Sequence, residues 1–251
     1  MNLVIRCNYG DESIALLQWL HENKVLRAEL AQFTKIYICY IDTGWAAQSW
    51  EAQVAQGEAF ARSVGFVPVR LKAPQSFETL CTSRGSFPSQ KFQWCAGFLK
   101  GVPFLEWLDE RDSACEWVVA LPKRQALYRT SIPEYIEQCE YHGERLVWHP
   151  ILSLTQLQRD KLITRANFTI LNHTSLECAP CVNSTTAELK MLADNDIKKA
   201  CVLEAKLQQN FNQHHQAITE RVAAAKNQTV SRTSSMDSFS MGCGDPFGCG
   251  L

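Results

Sequence analysis

The residues of this chain best suited to chemistry lie in a turn after an apolar strand. Leu3-Val4-Ile5-Arg6-Cys7 runs into Asn8-Tyr9-Gly10-Asp11-Glu12-Ser13 and then into the apolar helical pattern Ile14-Ala15-Leu16-Leu17-Gln18-Trp19-Leu20. A strand that turns through glycine into a helix presents backbone N–H groups, the positive end of the helix dipole and a hydroxyl. Those are the components of an anion site. The same six residues also serve as a plain strand-to-helix loop in which Ser13 caps the helix. Asp42-Thr43-Gly44 follows the next apolar run. A carboxylate at the end of a neighbouring strand suits a ribose hydroxyl or a Mg²⁺ ion.

Sulfur is the second chemical signal. The chain has 11 cysteines. Cys7, Cys39 and Cys115 fall inside apolar runs and are expected to be inert core thiols. Cys95, Cys178, Cys181, Cys243 and Cys249 lie near glycines, prolines and turns, where metal ligation or sulfur chemistry is feasible. Cys178-Ala179-Pro180-Cys181 lets two thiolates converge, and by itself it suits zinc, an iron–sulfur cluster or a redox dithiol equally. A tetrahedral site would also need Cys95 and one more distant thiolate. His173 is isolated and is expected to be a polar loop residue. Basic groups come from Lys100, downstream of Cys95, and from Lys123, Arg124 and Arg129 after the fourth strand.

These groups need a scaffold that brings strand ends together. Strands are expected at 3–7, 35–41, 66–71, 117–121 and 146–148, with helices at 13–23, 48–64 and 98–108 between them. The strands lack alternation, as strands covered on both faces do. Alternating strands and helices give an α/β fold: a doubly wound, mostly parallel sheet flanked by helices, with ligands outside the carboxyl ends of the strands. A helical, cysteine-containing C-terminal region follows. Residues 1–152 would form the sheet domain, and 153–226 a helical region carrying the Cys-x-x-Cys, with one long helical stretch from about Thr186 toward Ala225. Residues 227–251 would be a flexible linker and a cysteine-containing tail. The 251 residues are 46% hydrophobic with a net charge of −1, so bulk charge drives no association with nucleic acid or anionic membrane. No run of about 20 apolar residues exists to span a bilayer, and Met1 leads into a strand, so a cytoplasmic location without membrane contact is expected.

Taken together, the motifs resemble the phosphoadenosine phosphosulfate (PAPS) reductase-like branch of the adenine nucleotide α-hydrolases, the N-type ATP pyrophosphatases. That family carries Ser-Gly-Gly-x-Asp-Ser after its first strand, where this chain has Asn8-Tyr9-Gly10-Asp11-Glu12-Ser13. Its Asp-Thr-Gly is kept as Asp42-Thr43-Gly44. Cys95 with Leu99-Lys100 and Pro103, the loop Glu177-Cys178-Ala179-Pro180-Cys181, and Arg129 match further family positions. The resemblance covers about residues 1–205. Where the family has Gly-Val-Arg, this chain has Ala120-Leu121-Pro122, which leaves Lys123 or Arg124 to supply a basic contact. The C-terminal Glu-Cys-Gly-x-His of PAPS reductases is replaced by Cys243 and Cys249 without a histidine.

The resemblance implies an enzyme that binds Mg-ATP on Asn8, Tyr9, Gly10, Asp11, Glu12 and Ser13, with Asp42, Thr43 and Gly44 near the ribose or metal. It implies catalytic roles for Ser13, Lys100 and Arg129. It also implies a [4Fe–4S] cluster on Cys95, Cys178, Cys181 and Cys249, with Cys243 as the alternative fourth ligand. Cleavage between the α- and β-phosphates would adenylate an acceptor for sulfur transfer. A cysteine desulfurase would donate the sulfur, and DNA presented by partner proteins would be the acceptor, as in DNA phosphorothioation. The alternatives are an iron–sulfur sulfonucleotide (APS/PAPS) reductase of sulfate assimilation and a nucleotide-binding subunit with little turnover.

Overall fold

β1 (Leu3–Arg6) is apolar on both faces because both are covered. Leu3 and Ile5 point into a large core, while Val4 points into a smaller one with Phe104, Trp107, Val119 and Val147. β1 pairs in parallel with β2 (Ile36–Asp42) on one side and β4 (Val118–Ala120) on the other. β2 carries β3 (Val67–Lys72), and β4 carries β6 (Arg145–Trp148), again in parallel. β5 (Tyr135–Cys139) closes the far edge antiparallel to β6. The order β3-β2-β1-β4-β6-β5 makes this an α/β doubly wound, mostly parallel sheet. Its direction of winding reverses between β1 and β4, so a ligand crevice is expected outside the carboxyl ends of those strands. The computed structural model describes residues 1–89, 92–128, 130–211 and 216–228.

The large core lies under α1 (Asp11–Asn23) and α3 (Trp50–Ser63). α1 contributes Ile14, Leu16, Leu17 and Leu20, and α3 contributes Trp50, Val54 and Ala61. The opposite face is covered by α6 (Val102–Asp109) through Phe104, Trp107 and Leu108. α6 continues a helical run that starts with α5 (Trp94–Ala96) and passes through a π-helical turn at Gly97–Gly101. Two short helices complete this half, α2 (Ala28–Ala31) and α4 (Phe77–Arg84), the latter capped by the Ser76 hydroxyl. α7 (Gln156–Arg165) starts with a capping box from Thr155 and Gln158.

Several expectations are corrected. The helical stretch from Thr186 to Ala225 is three helices: α8 (Thr186–Met191), α9 (Asp194–Leu207) and α10 (Ile218–Asn227). Leu192 takes an extended conformation that ends α8, and Gln208 takes a left-handed one that ends α9. Cys115 is exposed in a turn rather than packed in the core, whereas Cys7 and Cys39 are buried as expected. β5 and α4 were not foreseen. Among the described residues, no helix is long and apolar enough to cross a membrane.

Candidate functional site

Helix α1 begins at Asp11, with Gly10 as the extended residue before it and no side chain capping its N-terminus. Ser13 therefore sits in the first turn instead of at the cap. Its hydroxyl donates to Asn8 Oδ1 at 2.9 Å, and the same oxygen accepts the Gly10 N–H at 2.9 Å. The Asn8 N–H reaches back to Ser13 Oγ at 3.3 Å. Asn8 thus ties the turn together from within and takes up one amide that an anion would otherwise use. The first-turn amides of α1 point out of the carboxyl end of β1, where helix geometry leaves them without intrahelical partners.

Tyr9 adopts a left-handed conformation, φ 58°, which a glycine would enter without strain. Its ring is turned fully into the core, 5.9 Å from the Tyr40 ring. Gly57 of α3 makes room for it, since a Cβ there would fall 2.1 Å from Tyr9 Cδ1. Trp50 Nε1 donates to the Asn8 carbonyl and Gln53 Nε2 to the Tyr9 carbonyl, so α3 holds this turn from outside.

Glu12 does not face open solvent. Its carboxylate takes a forked pair from Arg124, 2.7 Å and 2.9 Å, and a third contact from Arg159 at 3.0 Å. Arg159 also bonds Asp160 at 2.6 Å and lies 3.5 Å from Asp11. Burial pushes the Asp11 carboxyl up from its usual range, against the opposing pull of the Leu171 N–H and Arg159. Arg124 is thus committed to Glu12, so the basic contact expected from it at an open anion site is not available. Sequence reasoning missed Arg159 altogether. A guanidinium placed on the buried face of an amphipathic helix, next to Leu162 and Ile163, was the available signal.

Three separately identified loops meet at this edge of the sheet. Asp42 Oδ1 accepts the Gly44 N–H at 2.8 Å, closing the turn after β2, while Thr43 is buried with its hydroxyl 3.6 Å from Cys178 Sγ. The Cys178–Cys181 loop is fastened to the segment after that turn. Trp45 Nε1 donates to the Pro180 carbonyl, the Ala179 N–H to Trp45, and the Ala47 N–H to Leu176, each at 2.9 Å. A Cβ on Gly10 would lie 3.5 Å from Ser175 Cβ, which puts the same loop against the first turn. Lys100, in the π-helical turn, forms a buried ion pair with Glu177 at 2.7 Å. Burial raises the Tyr40 phenol pKa, with Glu177 adding to the shift and Lys100 opposing it. Glu177 was missed as a site residue; its position directly before Cys178 was the only clue.

No protein-family model matches the chain, and none of the curated proteins compared with it does. Among solved structures it is similar to a phosphoadenylyl-sulfate (PAPS) reductase from Candida auris in a phosphate complex. The match has a TM-score of 0.47 and 14% identity, over 68% of this chain and 75% of that one.

Of the expected sulfur ligands, Cys178 and Cys181 sit on one of the converging loops. A [4Fe–4S] cluster requires its cysteines around one small volume. Among the described residues, no group of three or more His, Cys, Asp or Glu side chains could hold a metal ion. Cys95, Cys178 and Cys181 are partly buried free thiols, and the fourth ligand of the expected set falls beyond the described residues. Cys178 contacts Thr43, and Cys181 Sγ accepts the Asn183 N–H at 3.5 Å. Cys243, Cys249 and Arg129 lie outside the described residues.

Proposed function

We propose that this chain binds an adenine nucleotide at the carboxyl edge of β1 and β2 and cleaves ATP between its α- and β-phosphates. The observation that carries the reading is the meeting of three loops at an uncapped helix N-terminus: Gly10 against Ser175, Thr43 against Cys178, and Lys100 paired with Glu177. The first-turn amides of α1 would face the phosphates, since a helix N-terminus favours anions by about 0.3–1 kcal/mol per exposed charge. Asp42 keeps one carboxylate oxygen without a partner among the described residues, and that oxygen suits a ribose hydroxyl or a Mg²⁺ ion. Preorganised amides would stabilise the charge that develops at the α-phosphate. In the finer form of this proposal, the adenylated product is the activated acceptor for sulfur supplied by a cysteine desulfurase, with DNA as the acceptor class.

A second reading, nucleotide binding without turnover, is favoured by specific contacts. Asn8 Oδ1 occupies the Gly10 amide, and Arg124 and Lys100 are both held by buried carboxylates. One pair of measurements separates the readings. Equilibrium dialysis with Mg-ATP should show binding that Asp42→Ala weakens, and a coupled assay should show pyrophosphate release that Ser13→Ala slows by about tenfold or more. Binding without pyrophosphate release would select the second reading. Absence of ATP binding would overturn both.

A further inference from the structure

α4 ends at Arg84, where Gly85 turns the chain out of the helix at φ 65°. The residues beyond it border an open pocket of about 330 Å³, lined by Arg84, Ser86, Phe87, Ser89, Phe92 and Trp94. Volumes near this value mark the small end of ligand sites, enough for one ring system. The walls combine three features. Phe92 is 66% exposed, and its N–H donates to Ser89 Oγ at 2.9 Å. Trp94 is braced from behind by Phe77, with the ring centroids 6.3 Å apart and stacked. The Arg84 guanidinium lies 4.9 Å from the Trp94 ring centroid and 4.7 Å from that of Phe98. Among the described residues, no carboxylate pairs with Arg84.

A guanidinium resting over aromatic rings keeps its fork of N–H donors, and that fork matches phosphate oxygens. An apolar side chain in this pocket would cover Arg84 without a counter-charge. A simple anion would leave the exposed face of Phe92 in water. A flat ring that bears an anionic group satisfies both, and a nucleotide is that combination: the base stacks on the aromatic wall and the phosphate pairs with the arginine.

We infer that the pocket between the end of α4 and Trp94 binds a single nucleotide unit, its base on Phe92 and its phosphate on Arg84. This is a second site, independent of the turn at Asn8–Ser13. The unit comes either as a free mononucleotide or as one residue of a single strand, and the test separates the two. The intact chain is titrated with thymidine 5′-monophosphate and, separately, with a short fluorescein-labelled oligothymidylate, while Mg-ATP binding is followed in parallel. The expected result is binding that Arg84→Gln and Phe92→Ala each weaken by about tenfold, with the part of ATP binding that Asp42→Ala removes left unchanged. Both side chains are exposed, so neither variant threatens the fold. Binding of the mononucleotide assigns a free nucleotide, and binding of the oligonucleotide alone assigns a strand. The inference is overturned if neither probe binds, if either variant binds as the unmodified chain does, or if inorganic phosphate competes as well as the mononucleotide. Loss of ATP binding alone would count against the site at Asn8–Ser13 and leave this one standing.

Discussion

Tyr9 shows how one residue reshapes a turn. Its backbone takes the left-handed conformation, and its ring fills a space that Gly57 leaves open. The phenolic oxygen is buried and has no hydrogen-bond partner among the described residues. Burial raises the phenol pKa well above the usual range, so the group stays a neutral, unsatisfied donor. A buried polar group without a partner costs about 1–3 kcal/mol. Tyr9→Phe is therefore expected to leave stability unchanged or raise it by about 1 kcal/mol, read from urea unfolding midpoints; a clear loss would mean that the hydroxyl has a partner. Tyr9→Gly should do the reverse, because the strain it relieves is smaller than the cavity it leaves, about 3–5 kcal/mol for a large aromatic side chain. The sequence made Gly10 and Ser13 legible as turn residues. It could not show that Tyr9 points inward, because that depends on a glycine in another helix.

At the scale of elements, α1 and α7 are joined at the switch point of the sheet by charge as well as by packing. Glu12 of α1 meets Arg159 of α7 and Arg124 from the loop after β4, all three buried. Removing one member of a buried ion pair leaves its partners charged and desolvated, at a cost of about 3–5 kcal/mol. Glu12→Gln should lower unfolding stability by that amount in denaturant titrations, and a loss below about 1 kcal/mol would show the network to be hydrated. The parallel strands and the turns at their carboxyl ends were legible, because unbroken apolar runs between helical patterns admit few other arrangements. The ion network was not, since its members come from three elements that only the fold brings together. The same holds for Lys100 and Glu177: each residue was in view, and their pairing was not. β5 escaped because an edge strand with exposed Tyr135, Glu137 and Gln138 carries little apolar signal.

Over the whole molecule, the larger core runs without a break from Leu3 to Ala225 and takes in Leu162, Phe168, Leu203 and Ile218 from the helices after the sheet. The smaller core on the opposite face is bordered by His142, whose ring lies edge-on to Phe104, 6.2 Å between centroids. His142 Nδ1 lies 3.4 Å from Cys139 Sγ, and its Nε2 is buried with no hydrogen-bond partner among the described residues. Burial lowers its pKa to about 3, and Arg6, Lys123, His149 and Arg145 around it act in the same direction. The unfolded chain, at about 6.5, takes up the proton first. Stability from this group is therefore complete above pH 6.5 and falls as pH drops toward 3, at a limiting slope of about 1.4 kcal/mol per pH unit. Glu22, whose pKa Arg165 lowers from 4.5, contributes with the same sign but only in the more acid part of that range. In urea unfolding between about pH 7 and about pH 5, His142→Gln should thus flatten the slope, while the acid limb due to Glu22 persists. An unchanged slope in the variant would assign the acid sensitivity to other groups and place His142 in contact with water.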